Sequence, residues 1–181
     1  MDRRLRIDLT DKLTHWLKPT VGDIVADFSR ALASKQIAGT KPPYILGSQH
    51  CVGFTETPLN VSAKLLASSK TFGINYAPVG FVVDRNWLFR QGARPVIYQT
   101  EAEATQLPDS QLYRHVTLDP DRNIDFTWKR EWRVPTQHLI LDERYCTPVV
   151  PSVEWLQLIR EGQGDAVEQW LRNAIVLSHF L

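Results

Sequence analysis

A carboxylate set among cations and tryptophans is the feature of this chain best suited to chemistry. It lies in Phe126-Thr127-Trp128-Lys129-Arg130-Glu131-Trp132-Arg133-Val134. Read as a strand, the run alternates with period two, so Lys129, Glu131 and Arg133 share one face and Trp128, Arg130, Trp132 and Val134 the other. Glu131 then looks into a cleft while the tryptophans pack, or it pairs with Arg133 or Lys129 on a solvated face. A second carboxylate, Glu56, follows Thr55 and precedes Pro58, where it supports the first or merely forms a turn. Arg90 and Arg94 flank Gly92, and two guanidinium groups on one connection could clamp a diphosphate. The five histidines, 15, 50, 115, 138 and 179, are scattered and form no zinc-binding pattern; neither a dinucleotide glycine fingerprint nor a phosphate loop occurs. Chemistry here has to come from residues that the fold gathers.

The elements that must gather them follow from the apolar periodicity. Ile24, Val25, Phe28, Ala31 and Leu32 recur at helical spacing within residues 22–37. Residues 6–18 predict a first strand that ends near Pro19. Residues 51–55, 80–83, 96–98, 126–134 and 138–141 predict further strands, with short helices near 62–68 and 85–90. Residues 101–117 are polar and carry no clear period, and 118–123 read as a turn. Two closing helices are expected over residues 152–160 and 165–181, separated by Gly162 and Gly164. Strands in the middle with helices at both ends predict an α+β domain rather than a βαβ alternation.

Composition sets the outer bounds. A chain of 181 residues, 43% hydrophobic and 23% charged, predicts one globular domain over residues 1–181, with a core large enough to need no metal or disulfide. A net charge of +1 excludes the global positive field typical of nucleic-acid-binding domains and leaves room for a local patch. Cys51 and Cys146 cannot form a disulfide framework, and no run reaches the roughly 20 apolar residues of a membrane span. The mixed charges of residues 1–11 do not read as a signal peptide, so the expectation is a cytoplasmic protein without a membrane partner.

Three segments resemble the abortive-infection proteins of the AbiGi family and, more distantly, the DarT-like toxins that transfer ADP-ribose to nucleic acid. The first is Val52-Gly53-Phe54-Thr55-Glu56-Thr57-Pro58-Leu59. The second runs from Tyr76 through Gly80-Phe81-Val82-Val83 and Trp87-Leu88 to Gly92-Ala93-Arg94-Pro95-Val96-Ile97-Tyr98. The third is the Glu131 segment itself, through Pro135. A family motif of His-Phe/Leu-Thr on the first strand has its counterpart in Leu13-Thr14-His15-Trp16, with Thr and His in reversed order.

The resemblance implies an ADP-ribosyltransferase-like domain, a small mixed or antiparallel β core flanked by helices. NAD, as substrate, would sit between two small sheets, with His15, Thr55, Phe81 and Arg94 binding it and Glu131 as the catalytic carboxylate. Breaking the nicotinamide–ribose bond leaves an oxocarbenium-like sugar, and a carboxylate stabilises that charge as it develops. The implied role is transfer of ADP-ribose to a macromolecule, nucleic acid before protein, in phage defence or a toxin–antitoxin system. The same resemblance admits a module that has lost catalysis and serves as an antitoxin or sensor partner in a defence operon. Hydrolysis of NAD without an acceptor is a third possibility.

Overall fold

The computed structural model describes residues 10–19, 22–67, 76–161 and 163–179. Its strands are β1 (Lys12–Trp16), β2 (Gln36–Ala38), β3 (Cys51–Thr55), β4 (Gly80–Asp84), β5 (Arg94–Pro95), β6 (Ile97–Gln99), β7 (His115–Thr117), β8 (Glu131–Pro135), β9 (His138–Ile140), β10 (Cys146–Val150) and β11 (Ile175–Val176). The helices are α1 (Ile24–Ser34), α2 (Leu59–Ala67), α3 (Arg85–Arg90), α4 (Glu101–Ala104), α5 (Val153–Arg160) and α6 (Asp165–Leu171). Among the described residues seven strands form one sheet in the order β11-β10-β4-β1-β3-β8-β5. Every neighbouring pair in it is antiparallel except β10 with β11. The expected α+β character is therefore present, with a mostly antiparallel sheet.

The sheet is not evenly sewn. β1 pairs with β4 along its whole length, from Lys12↔Asp84 to Trp16↔Gly80. β3 pairs with β8 as fully, from Cys51↔Pro135 to Thr55↔Glu131. β1 and β3 meet at one registered pair, Thr14↔Thr55. The sheet thus consists of two well-paired halves joined at a short seam, and beyond that seam the strands part.

One face carries the main core. Opposite partners in an antiparallel pair project to the same face, so Leu13 lies with Val83, and Phe54 with Trp132, against α1, α5 and α6. α1 ends where Lys35 adopts a left-handed conformation (φ 50°) and its backbone N–H caps carbonyls of the last turn, which turns the chain directly into β2. On the other face Trp16, Val82 and Val149 pack with Ala63 and Leu66 of α2. Among the described residues no helix is long and apolar enough to cross a membrane.

Three expectations need correction. The segment expected to be a strand from residue 126 starts as a 3-10 turn, Thr127–Lys129, and becomes extended only at Glu131. Arg130 makes the change of direction with a left-handed backbone (φ 42°). Residues 96–98 were expected in the same β core as 51–55 and 80–83. Instead β6 pairs in parallel with β7 in a separate two-stranded sheet, and only β5 just before it joins β8. The last helix stops at Leu171 and gives way to β11, where Ile175 and Val176 find an open edge of β10. Polar residues 101–117, which show no period, hold α4, a 3-10 helix (Asp109–Arg114) and β7. Residues 6–9 of the expected first strand lie outside the described residues.

Candidate active site

A cleft of about 570 Å³ opens at the seam and is lined from both sides of it. His15 contributes from β1, Thr55 and Gly53 from β3, and Glu131 and Arg133 from β8; Lys129 stands on the 3-10 turn before β8. α1 closes one side with Asp27 and Arg30, and α2 the other with Ser62 and Leu66. Tyr44 and Tyr76 complete the rim.

Glu131 is fixed before its side chain is considered. Its backbone N–H donates to the Tyr98 hydroxyl at 2.9 Å, and its carbonyl accepts from Val96 N–H at 3.0 Å. Its carboxylate Oε1 accepts from Arg133 Nε at 2.6 Å. Arg133 is 2% exposed, the bulkiest of the fully buried side chains among the described residues. A buried guanidinium needs acceptors for its remaining donors, and Nη1 finds the Tyr113 and His115 carbonyls at 2.6 and 3.0 Å. The arginine is therefore a rigid backing for the carboxylate. Gly53 faces this pair across the β3–β8 ladder, and a Cβ there would stand 3.8 Å from Glu131 Oε1. The alternation expected for Glu131 and Arg133 holds, and Glu131 both lines the cleft and is ion-paired, though its partner is a buried arginine and not one on a solvated face.

The Thr55 hydroxyl lies on the Glu131 face and donates to the Lys129 carbonyl. The Thr57 hydroxyl donates to the Trp128 carbonyl at 2.8 Å. These two bonds pin the 3-10 turn to the end of β3 and set where the Lys129 side chain begins. His15 enters from the opposite face, since it pairs with Phe81 in register and packs 5.5 Å from the Phe54 ring. Its Nδ1 lies 2.8 Å from the Gly53 carbonyl, and because a carbonyl only accepts, Nδ1 carries the proton. Burial lowers the His15 pKa, the Gly53 hydrogen bond opposes this, and Lys18 adds to the lowering, which favours a neutral ring with Nε2 as an acceptor.

Two of the expected binding residues stand elsewhere. Phe81 is fully buried between Phe28 at 5.2 Å and Trp170 at 5.6 Å. β4 is central, so its side chains are covered on both faces and Phe81 has no route to the cleft. Arg94 lies on β5, at the sheet's edge beyond β8. Its guanidinium lies 4.0 Å from the Phe89 ring centroid and donates to the Phe89 and Ala93 carbonyls at 3.1 and 2.7 Å. The tight return at Gly92 (φ 96°) folds this arginine back on the end of α3, where it satisfies terminal carbonyls. Arg90, expected to share a diphosphate with Arg94, is exposed and does not line the cleft.

The residues that periodicity did not single out are Lys18, Tyr44 and Thr57, which sit in connections, and the buried role of Arg133. Cys51 lines the cleft, but burial pushes its thiol up to about 11, and that of Cys146 up to about 12, so neither is a ready thiolate. No family model matches the chain, and no curated protein or solved structure matches it.

Proposed function

We propose that the protein is an NAD-dependent ADP-ribosyltransferase acting on a macromolecule, nucleic acid before protein, in bacterial phage defence or a toxin–antitoxin system. One observation carries the reading: where the two halves of the sheet part, His15 reaches the cleft from one half, and Thr55 and Glu131 from the other. This is the arrangement expected of a first-strand histidine, a second-strand hydroxyl and a later-strand glutamate around NAD.

In the proposed reaction the bond between ribose C1 and the nicotinamide nitrogen breaks, and nicotinamide leaves with the electron pair. The sugar becomes oxocarbenium-like, and a nucleophilic oxygen or nitrogen of the acceptor forms the new bond to C1 and loses its proton. Glu131 is the residue to stabilise the cationic sugar, a stabilisation that counts most in the transition state. Arg133 holds that carboxylate in one orientation, which removes the need to reorganise it during the reaction. His15, neutral and with Nε2 free to accept, suits a ribose hydroxyl.

Incubation of the purified protein with NAD labelled in its adenylate half, together with cellular RNA, DNA and protein fractions, tests the proposal. Label transfer by the wild type and its loss in Glu131→Gln are expected. The tie between Glu131 and Arg133 and the absence of Phe81 and Arg94 from the cleft favour a second reading, a transferase-like binding module without catalysis. Absence of transfer to every fraction, with NAD still bound, would select it.

A further inference from the structure

With Arg94 folded onto Phe89 and Arg90 outside the cleft, the anionic part of a nucleotide has to be met by other cations, and the cleft supplies two. Its guanidinium groups are already neutralised: Arg30 pairs with Asp27 at 2.9 Å and Arg133 with Glu131 at 2.6 Å. Lys18 and Lys129 are not. Among the described residues neither ammonium has a carboxylate within ion-pair distance. Both lie over the same ring, Tyr76, with Nζ at 5.6 and 5.7 Å from its centroid. Lys18 Nζ also donates to the Tyr44 hydroxyl at 2.9 Å, and Lys129 Nζ stands 5.5 Å from the Trp128 ring centroid. A ring's negative face attracts a cation but leaves its N–H donors unsatisfied. Two like charges thus stand beside one ring, each with donor capacity to spare, which a dianion reaching both would satisfy. Beside them the Tyr44 and Trp128 rings, 58% and 43% exposed, leave apolar faces open at the cleft.

We propose that Lys18 and Lys129 grip the diphosphate of a nucleoside diphosphate unit, with Tyr44 or Trp128 stacking on its base. The assignment deepens the proposed reaction, from which it takes only the identity of the nucleotide as the ADP half of NAD; the grip itself requires no chemistry. Lys129 owes its position to the Thr55 and Thr57 hydroxyl bonds that pin its turn, so the grip and Glu131 are anchored to the same strand pair.

Isothermal titration calorimetry with ADP, AMP, adenosine, NAD and a single-stranded oligonucleotide tests the grip, with melting temperatures to verify folding of each variant. ADP is expected to bind, AMP about ten-fold more weakly, and adenosine without measurable heat. Lys18→Gln and Lys129→Gln should each weaken ADP about ten-fold or more, as expected for loss of a charge-assisted hydrogen bond. Arg94→Gln should leave ADP binding unchanged. ADP affinity equal to wild type in both lysine variants overturns the proposal. So does lysine-dependent binding of the oligonucleotide with none of ADP, which would assign the pair to a nucleic-acid strand. ADP binding that depends on both lysines without any label transfer from NAD would sink the transferase reaction and keep the grip.

Discussion

The two borders of β1 differ in a way that explains where the cleft is. Towards β4 every residue of β1 is paired, and Gly80 lets the backbones approach so closely that a Cβ there would fall 1.9 Å from the His15 carbonyl oxygen. Towards β3 the pairing ends after Thr14↔Thr55. A backbone carbonyl left by an interrupted ladder needs another donor, and Gly53 takes the His15 imidazole. The first border is a closed hydrogen-bonded wall. The second exchanges ladder bonds for side-chain chemistry, and that exchange brings a histidine, two hydroxyls and a carboxylate to one opening.

Two carboxylates, Glu56 just past the end of β3 and Glu131 at the start of β8, repeat the contrast. Glu56 is closed in: Oε1 accepts from Arg85 at 3.2 Å and Oε2 from Trp132 Nε1 at 3.1 Å, away from the cleft. Glu131 has one oxygen taken by Arg133 and lines the open side. The largest effect should therefore fall on activity at Glu131. Glu131→Gln is expected to lower the turnover of label transfer by about 100-fold or more with the fold retained. Glu56→Gln should leave transfer near wild type and reduce stability by about 1–3 kcal/mol in denaturant melts. The reverse pattern would mean that the wrong carboxylate faces the substrate.

The glycines on the two borders give the next test. Gly80→Ala forces β1 and β4 apart at a backbone contact and should cost about 1–3 kcal/mol or more. Gly53→Ala, with Glu131 Oε1 at 3.8 Å as its nearest neighbour, should change stability by under about 1 kcal/mol. Equal costs in chemical denaturation would argue that the seam is as tightly packed as the closed border.

Histidine 15 offers a pH test of the seam. Its folded pKa is lowered, chiefly by burial, so protonation is disfavoured in the fold and available to the unfolded chain. Stability contributed by neutral His15 should thus be full above the ordinary histidine value of about 6.5 and be lost as pH falls below it. His115 is lowered by burial and by Arg133 and adds to the same slope. Melting temperatures of His15→Gln should fall less steeply with acidification than those of the wild type; parallel curves would remove His15 from the slope.

A smaller effect is expected at the diphosphate grip. Burial holds Lys129 below the usual lysine range, with Lys18 and Arg133 acting the same way and Glu131 opposing. An anion needs the charged amine, so ADP affinity should weaken as pH rises through that lowered value, while Lys129→Gln shows a flatter profile over the same range. An unchanged slope in the variant would move the titration to another group. Tyr76, pushed up to about 12 mainly by burial, keeps its proton below that range.

Much of this architecture was legible in the chain itself. The period of α1, the apolar runs of β3 and β4, and the alternation that sets Glu131 and Arg133 on one face are local properties, dictated by side-chain type and backbone geometry. Thr55 and Glu131 were singled out by the motif resemblance, and the alternation added which face Glu131 shares with Arg133. Phe81 and Arg94 were misplaced because a motif records order along the chain and not which face of a central strand is covered, or whether an arginine serves a helix end. Lys18 and Tyr44 lie in connections, where no period marks a residue. The seam is the clearest case of what only the tertiary structure decided: β1 and β3 are separated by α1 and β2 in the chain. Where their pairing stops depends on competition among hydrogen bonds, packing on both faces and the turn pinned at Lys129. Those interactions are long-range, and they alone bring His15, Thr55 and Glu131 to one cleft.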